Sequence, residues 1–384
     1  MSQSAFRSPV CVADYERYAN STLPRFVSDY YNAGAMDEYT LKDNQRAFQR
    51  WRLRPRALVD VTDIDTSTTL LGDPIASPIC VAPSALQKLS HPDGEMANAK
   101  ACAEFKTCMT LSSYSTTSIE DVRKASPEGL LWFQLYVYKN RETSKMLIQR
   151  AEAAGYKALV VTVDTPVIGR RLADRRNYFS LPPHLRVANF PKEMRIKSAA
   201  ERINLRSTEP ATEEEAADSL NTSDTSLQWT DIAWFKSVTK MKIIVKGVIT
   251  REDAEMACKV GVDAIWVSNH GGRQLDGTTS TIDALPEVIE AVGDRPCEVY
   301  MDGGVRTGTD VLKALALGAR AVFLGRPMVW ALAHGGEEGA KGMLSIMFDE
   351  FRLAMVLTGC RSVKEITRDR VVHETALALR LARL

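Results

Sequence analysis

Eight short runs rich in Val, Ile and Leu, each with a polar residue or glycine at its end or within two positions of it, limit most strongly what this chain can fold into. They are Ile79 to Ala82, Thr107 to Leu111, Leu131 to Leu135, Ala158 to Val163, Lys242 to Val245, Ala264 to Val267, Glu298 to Met301 and Ala321 to Leu324. Most are continuously apolar rather than alternating, the pattern of a strand buried on both faces in a parallel sheet. Between them lie stretches of helical period, among them Glu95 to Phe105, Arg141 to Ala154, Arg251 to Val260 and Thr309 to Leu317, several closed by Gly155, Gly261 and Gly318. Eight such β-α units predict an α/β fold, the closed (β/α)8 or TIM barrel, because closure buries the edges that an open eight-stranded sheet leaves exposed. An open doubly wound sheet is the alternative, but no G-x-G-x-x-G follows the first run.

The chain is expected to form one domain over residues 1–384. Residues 1–75 read as helices with a short hairpin, expected to cover the barrel's bottom; the barrel takes residues 76–360, and 361–384 form a tail. Pro166 to Leu227, an insertion at about 166–228, is too long for an ordinary barrel loop, and Ala211 to Ser226 is polar throughout. The insertion is expected to be a mobile lid over the site, the alternative being a disordered surface insertion, which is the favoured reading for the acidic Glu213 to Glu215 neighbourhood.

Charge and cysteine usage narrow the function. Forty-nine Lys and Arg against 48 Asp and Glu leave a net charge of +1, which gives no long-range field for nucleic acid or an anionic membrane. Apolar stretches such as Ala158 to Val163 fall far short of the roughly 20 residues of a membrane span. Met1 to Val12 lacks a signal-peptide core, so an intracellular protein is expected. The seven cysteines include no C-x-x-C pair and no His at zinc-ligand spacing, so neither a metal site nor a disulfide framework is expected.

In a barrel, chemistry gathers at the C-terminal ends of the strands. Those ends carry Ser84, Ser112, Gln134 with Tyr136, Thr162 with Asp164, Lys246, Ser268 with His270, Asp302, and Gly325 with Arg326. A polar or glycine residue at every exit predicts one large polar ligand across the mouth. After the seventh run, MDGGVRTGTD supplies Gly303 and Gly304 for close backbone approach, Arg306 as a fixed cation, and a helix start near Thr309. With Gly325 and Arg326 after the eighth run, this matches the phosphate site that barrels build there, against the plainer alternative of turn glycines and a solvated arginine.

VSNHGGRQLDG sets His270 three residues from Arg273, a base beside a group that grips a carboxylate bidentately. Lys246, closing an apolar run, is costly to bury unless it faces an anion. In TVDTPVIGRR, Asp164 is placed to orient His270 and stabilise its charged form, and Arg171 to act as a second clamp. Tyr30 in SDYYNAG and Tyr136 in WFQLYVYK can donate to a hydroxyl or carboxylate, or pack as half-buried aromatics.

Taken together, SNHGGRQLDG, TVDTPVIGRR, IIVKGVIT, FQLYVYK and DGGVRTGTDVLKALALGARAVFLGRP resemble the FMN-dependent 2-hydroxy acid oxidases, the group that includes glycolate oxidase and lactate oxidase. The resemblance runs from about Tyr15 to the C-terminus and implies a (β/α)8 barrel with FMN at its mouth. It implies that FMN is held by Pro83, Ser84, Ala85, Ser112, Gln134, Tyr136, Thr162, Lys246, Ser268, Asp302, Gly303, Gly304, Arg306, Gly325 and Arg326. Substrate would be held by Tyr30, Tyr136, Arg171, His270 and Arg273, with Tyr114 and Ile168 around its side chain. His270, paired with Asp164, would be the base. Tyr114 stands where glycolate oxidases usually have Trp and Ile168 where they usually have Leu, while Ala85 stands where a related lactate monooxygenase has Gly. The implied reaction turns an L-2-hydroxy acid into a 2-oxo acid and O2 into H2O2. A dehydrogenase using another acceptor, or a non-catalytic FMN-binding barrel, would be the alternatives. The resemblance also implies a homotetramer or octamer. Ala382-Arg383-Leu384 resembles a peroxisomal address, so the import receptor is an expected partner and the peroxisome the expected compartment, with the cytosol if that address is not read.

Overall fold

A computed structural model describes residues 8–190 and 223–381. The eight apolar runs are its central strands: β4 (Ile79–Val81), β5 (Cys108–Ser112), β6 (Leu130–Leu135), β7 (Ala158–Thr162), β8 (Lys242–Val248), β9 (Ala264–Val267), β10 (Glu298–Asp302) and β11 (Ala321–Leu324). All pair in parallel and close into a barrel, with β11 beside β4. The helices between them pack around the outside, as in the connection Arg251–Val260, which starts on the Thr250 cap and stops at Gly261 in the left-handed region.

Side-chain parity fixes what each strand offers. Cys80, Trp132, Ile244, Trp266, Tyr300 and Phe323 point inward and form one buried cluster, while their neighbours Val81, Phe133, Val245, Val267, Met301 and Leu324 pack outward under the helices. Counting on by two from the inward set reaches Gln134, Lys246, Ser268, Asp302 and Gly325 at the upper end. The barrel is therefore filled with apolar side chains below and ringed with polar groups above.

The N-terminal cover is divided, which corrects the expectation that all of it lies at the bottom. The hairpin β2 (Thr68–Leu70) and β3 (Asp73–Ile75) does so, with Leu70 and Ile75 entering the barrel's inner cluster and Leu71 N donating to Glu298 at the start of β10. Helix α2 (Arg25–Asn32) and helix α3 (Tyr39–Arg50) reach the opposite end. There Tyr31 and Ala33 carbonyls accept from Arg326, and Asn44 exchanges amide hydrogen bonds with Asn269. Nor are residues 361–384 a simple tail, since β12 (Val371–His373) pairs antiparallel with β1 (Trp51–Leu53). Most of the expected lid and Ala382-Arg383-Leu384 lie outside the described residues.

Candidate active site

One cavity of about 1370 Å³, including its open mouth, occupies the upper end of the barrel. Every candidate site residue lines it except Asp164 and Ser268, which sit one layer behind. The ring of polar strand ends is internally bonded. Gln134 Oε1 accepts from Ser112 Oγ at 3.3 Å, and Gln134 Nε2 donates to Thr162 Oγ1 at 3.0 Å. Lys246 Nζ donates to Ser268 Oγ at 2.9 Å, Ser268 Oγ donates to Asp302 Oδ1 at 2.7 Å, and Lys246 Nζ lies 3.4 Å from Asp302 Oδ2. Ser268, expected at the cofactor, holds Lys246 against Asp302 through its hydroxyl, which also accepts from His270 N at 3.1 Å. Lys246 lies inside β8, not at its end, because Gly247 and Val248 extend the strand with an irregular register.

His270 stands at the start of a left-handed turn, with φ of 58° followed by 62° and 72° at Gly271 and Gly272. This conformation, uncommon for a residue with a side chain, turns the imidazole back over the mouth. Its Nδ1 lies 2.8 Å from Asp164 Oδ1 and its Nε2 3.3 Å from Tyr136 Oη. The carboxylate favours the tautomer with the proton on Nδ1, leaving the Nε2 lone pair toward the cavity. Burial holds the imidazole below its ordinary 6.5; the Asp164 charge and hydrogen bond oppose burial, and Lys246 and Arg171 reinforce it. For Asp164, burial acts against the charge, but His270, Lys246 and Thr165 outweigh it and keep the carboxyl below its ordinary value.

Two guanidiniums, the buried Arg171 and the half-buried Arg273, face this base. Arg273 donates to the carbonyls of Tyr30 and Ala33, both at 2.8 Å, and Arg171 Nε donates to the carbonyl of Arg273 at 3.4 Å. Arg171 is pushed down to about 10 by burial and by the like charge of Arg273, against smaller opposing effects of Tyr30 and Asp174. Tyr30 stacks on Phe179 at 4.2 Å, and burial raises the phenols of Tyr30 and Tyr136, so both remain hydrogen-bond donors at neutral pH. A carboxylate bound between the arginines, with its α-substituent toward His270, is what this arrangement can hold.

At the exits of β10 and β11 the structure revises how an anion would be bound. The helix Gly308–Ala316 does not offer a free N-terminus: Thr307 and Asp310 form a capping box, and Gly308 N donates to Glu350. The open helix start is that of Arg326–Thr358, whose Gly325 cap has no side-chain partner. A Cβ on Gly325 would meet nothing closer than Ser84 Oγ at 3.9 Å, so the missing side chain leaves room inside the cavity. Arg306 Nε is buried without a partner, and Arg326 hydrogen-bonds only to the carbonyls of Tyr31, Gly271 and Ala33 among the described residues. Two buried guanidiniums beside an open helix N-terminus fit a phosphate group, and the long polar-ringed cavity fits the rest of a flavin mononucleotide.

Tyr114 and Ile168 line the same cavity, with Tyr114 5.3 Å from the Tyr136 ring and 6.1 Å from Phe190. Three supporting residues escaped the sequence reading. Thr165 Oγ1 donates to Asp164 Oδ1 at 2.8 Å and lies 3.3 Å from His270 Nδ1. Gly247, at φ +116°, lets the β8 backbone pass Asp164, whose Cβ would stand 2.7 Å from any Cβ placed there. Glu95, fully buried, accepts from Gln87 N, Thr116 N and the hydroxyls of Thr116 and Thr117, tying the loop of Pro83–Ala85 to that of Tyr114. The adjacency of Thr165 to Asp164 was the one available signal; the other two depend on contacts between distant segments.

The profile of the FMN-dependent dehydrogenase family matches residues 19–373. The chain is 51% identical over 370 residues to 2-hydroxyacid oxidase 1 of Mus musculus, covering 96% of this chain and 98% of the relative. It is 50% identical over 364 residues to glycolate oxidase of Spinacia oleracea, covering 94% and 95%. Among solved structures it is similar to mandelate oxidase, with a TM-score of 0.85, 39% identity, and coverage of 95% of this chain and 98% of that one.

Proposed function

The chain belongs to the FMN-dependent dehydrogenase family, and we propose that it is an (S)-2-hydroxy-acid oxidase acting on short to medium L-2-hydroxy acids such as L-lactate and glycolate. The observation that carries this reading is the Asp164–His270–Tyr136 chain facing Arg171 and Arg273 across one cavity.

Within that reading, Arg171 and Arg273 bind the substrate carboxylate, and Tyr30 and Tyr136 orient its hydroxyl. His270 Nε2 accepts the proton that the substrate gives up, and Asp164 stabilises the resulting imidazolium. Ser84, Gln134, Thr162, Arg306, Gly325 and Arg326 would hold FMN, and Lys246 would present a cation to its ring. When bound, FMN supplies the two-electron acceptor and passes the electrons to O2, giving H2O2. Peroxide release suits a compartment with catalase, which together with the resemblance of Ala382-Arg383-Leu384 to an import address supports the peroxisome. The family resemblance supports a homotetramer or octamer.

The depressed pKa of His270 sets the pH dependence. Its protonated form cannot accept a proton, so kcat/KM for L-lactate rises with pH by about tenfold per unit and levels off above a midpoint below 6.5. A pH profile checks this; a midpoint above about pH 7 would place the base elsewhere.

Tyr114 in place of a Trp frees space for about one methyl group, worth roughly 1 kcal/mol when filled. L-lactate is therefore expected to be used at least as efficiently as glycolate, 2-hydroxyoctanoate to be tolerated, and D-lactate to fail because the clamp and His270 fix three points around Cα. Steady-state assays on these four acids test the function. Turnover of none of them would remove it, and a kcat/KM for glycolate more than about tenfold above that for L-lactate would show that Tyr114 does not enlarge the pocket.

A further inference from the structure

Asp174 is a fully buried carboxylate for which the reaction described above has no use. It lies in α7 (Leu172–Arg176), the short helix whose N-cap is Arg171. Among the described residues neither of its carboxylate oxygens has a hydrogen-bond partner, a costly condition for a buried acid unless positive charge lies near. Burial raises its carboxyl above the ordinary value, Asp29 adds to that, and the positive charges of Arg273 and Arg171 oppose it and favour the ionised form. Asp29 is itself engaged by Asn177 and paired with Arg25. The two guanidiniums, for their part, hydrogen-bond only to carbonyl oxygens among the described residues. Among the described residues, a buried acid whose carboxylate makes no hydrogen bond thus accompanies one buried and one half-buried cation that have no carboxylate partner.

We infer that Asp174 is the resident countercharge of the Arg171–Arg273 pair, set out of hydrogen-bonding contact with them so that it moderates their grip on a carboxylate without occupying the clamp. The inference rests on reading those arginines as the carboxylate site. Its functional sense follows from the reaction: oxidation at Cα leaves the carboxylate unchanged, so product is held by the same two cations as substrate. Two uncompensated guanidiniums would retain the 2-oxo acid; a nearby negative charge that makes no hydrogen bond lowers the affinity for both and lets product leave. Acting through the arginines, Asp174 is a positioning residue of the site's field.

The test measures oxalate binding by calorimetry to the FMN-loaded wild type and to Asp174→Asn and Asp174→Leu, two variants that share only the loss of charge. Wild type is expected to bind oxalate, and each folded variant to bind it about three- to tenfold more tightly. Inhibition by pyruvate should tighten in parallel, while inhibition by the uncharged glycolamide stays as in the wild type. Unchanged or weaker oxalate binding in a variant that retains FMN and a cooperative thermal transition overturns the assignment. Equal tightening of glycolamide also overturns it, because shape rather than charge would then have changed. If wild type fails to bind oxalate, the carboxylate clamp itself is wrong and the inference falls with it; oxalate binding without tightening in the variants leaves the clamp standing and removes Asp174 alone.

Discussion

Replacing His270 by Gln is expected to leave FMN bound but to slow its bleaching by L-lactate by about a thousandfold, the middle of the range for losing a general base. The phosphate end of the cavity, built on Arg306, Gly325 and Arg326, makes no use of the imidazole, except that Arg326 donates to the carbonyl of neighbouring Gly271. Cofactor content and catalysis should therefore separate. Stopped-flow mixing of the anaerobic variant with L-lactate checks it, and bleaching at the wild-type rate would exclude His270 as the base.

Arg273→Met is expected to cost kcat/KM about 2 to 5 kcal/mol, roughly thirty- to several-thousandfold, as when one partner of a buried charge pair is removed. Both KM and kcat should suffer. The guanidinium offers charge to the substrate, and it also pins the carbonyls of Tyr30 and Ala33, so its loss frees the segment that carries the Tyr30 phenol. Steady-state kinetics on L-lactate measure the split; a change in KM alone would limit Arg273 to uniform binding.

The barrel was legible because its strands are buried on both faces, so each stood out as an apolar run, and because parity then fixes which residue ends each strand on the inner side. Gln134, Thr162, Lys246 and Asp302 follow from that rule alone. Amphipathic helices are a weaker guide. Their patterns in α2 and α3 say which face is buried but not which end of the barrel it meets, so the segment assigned to the bottom proved to bring Tyr30 to the mouth. The T-x-x-D spacing of Thr307 and Asp310 was visible in the sequence and marks a capped helix, yet the glycines before it drew the phosphate reading to that end; the uncapped start at Gly325 is the open one. Gly247, Glu95 and Asp174 had no local signature, because each matters through a residue far along the chain or through the absence of a partner.

The most direct test of the account follows the visible spectrum of the purified FMN-loaded protein. Under anaerobic conditions, L-lactate should bleach the flavin absorbance while D-lactate leaves it unchanged. Admitting air should restore the absorbance, with peroxide released in equal amount to the pyruvate formed. A flavin that L-lactate does not bleach, or acetate appearing in place of pyruvate and peroxide, would contradict it.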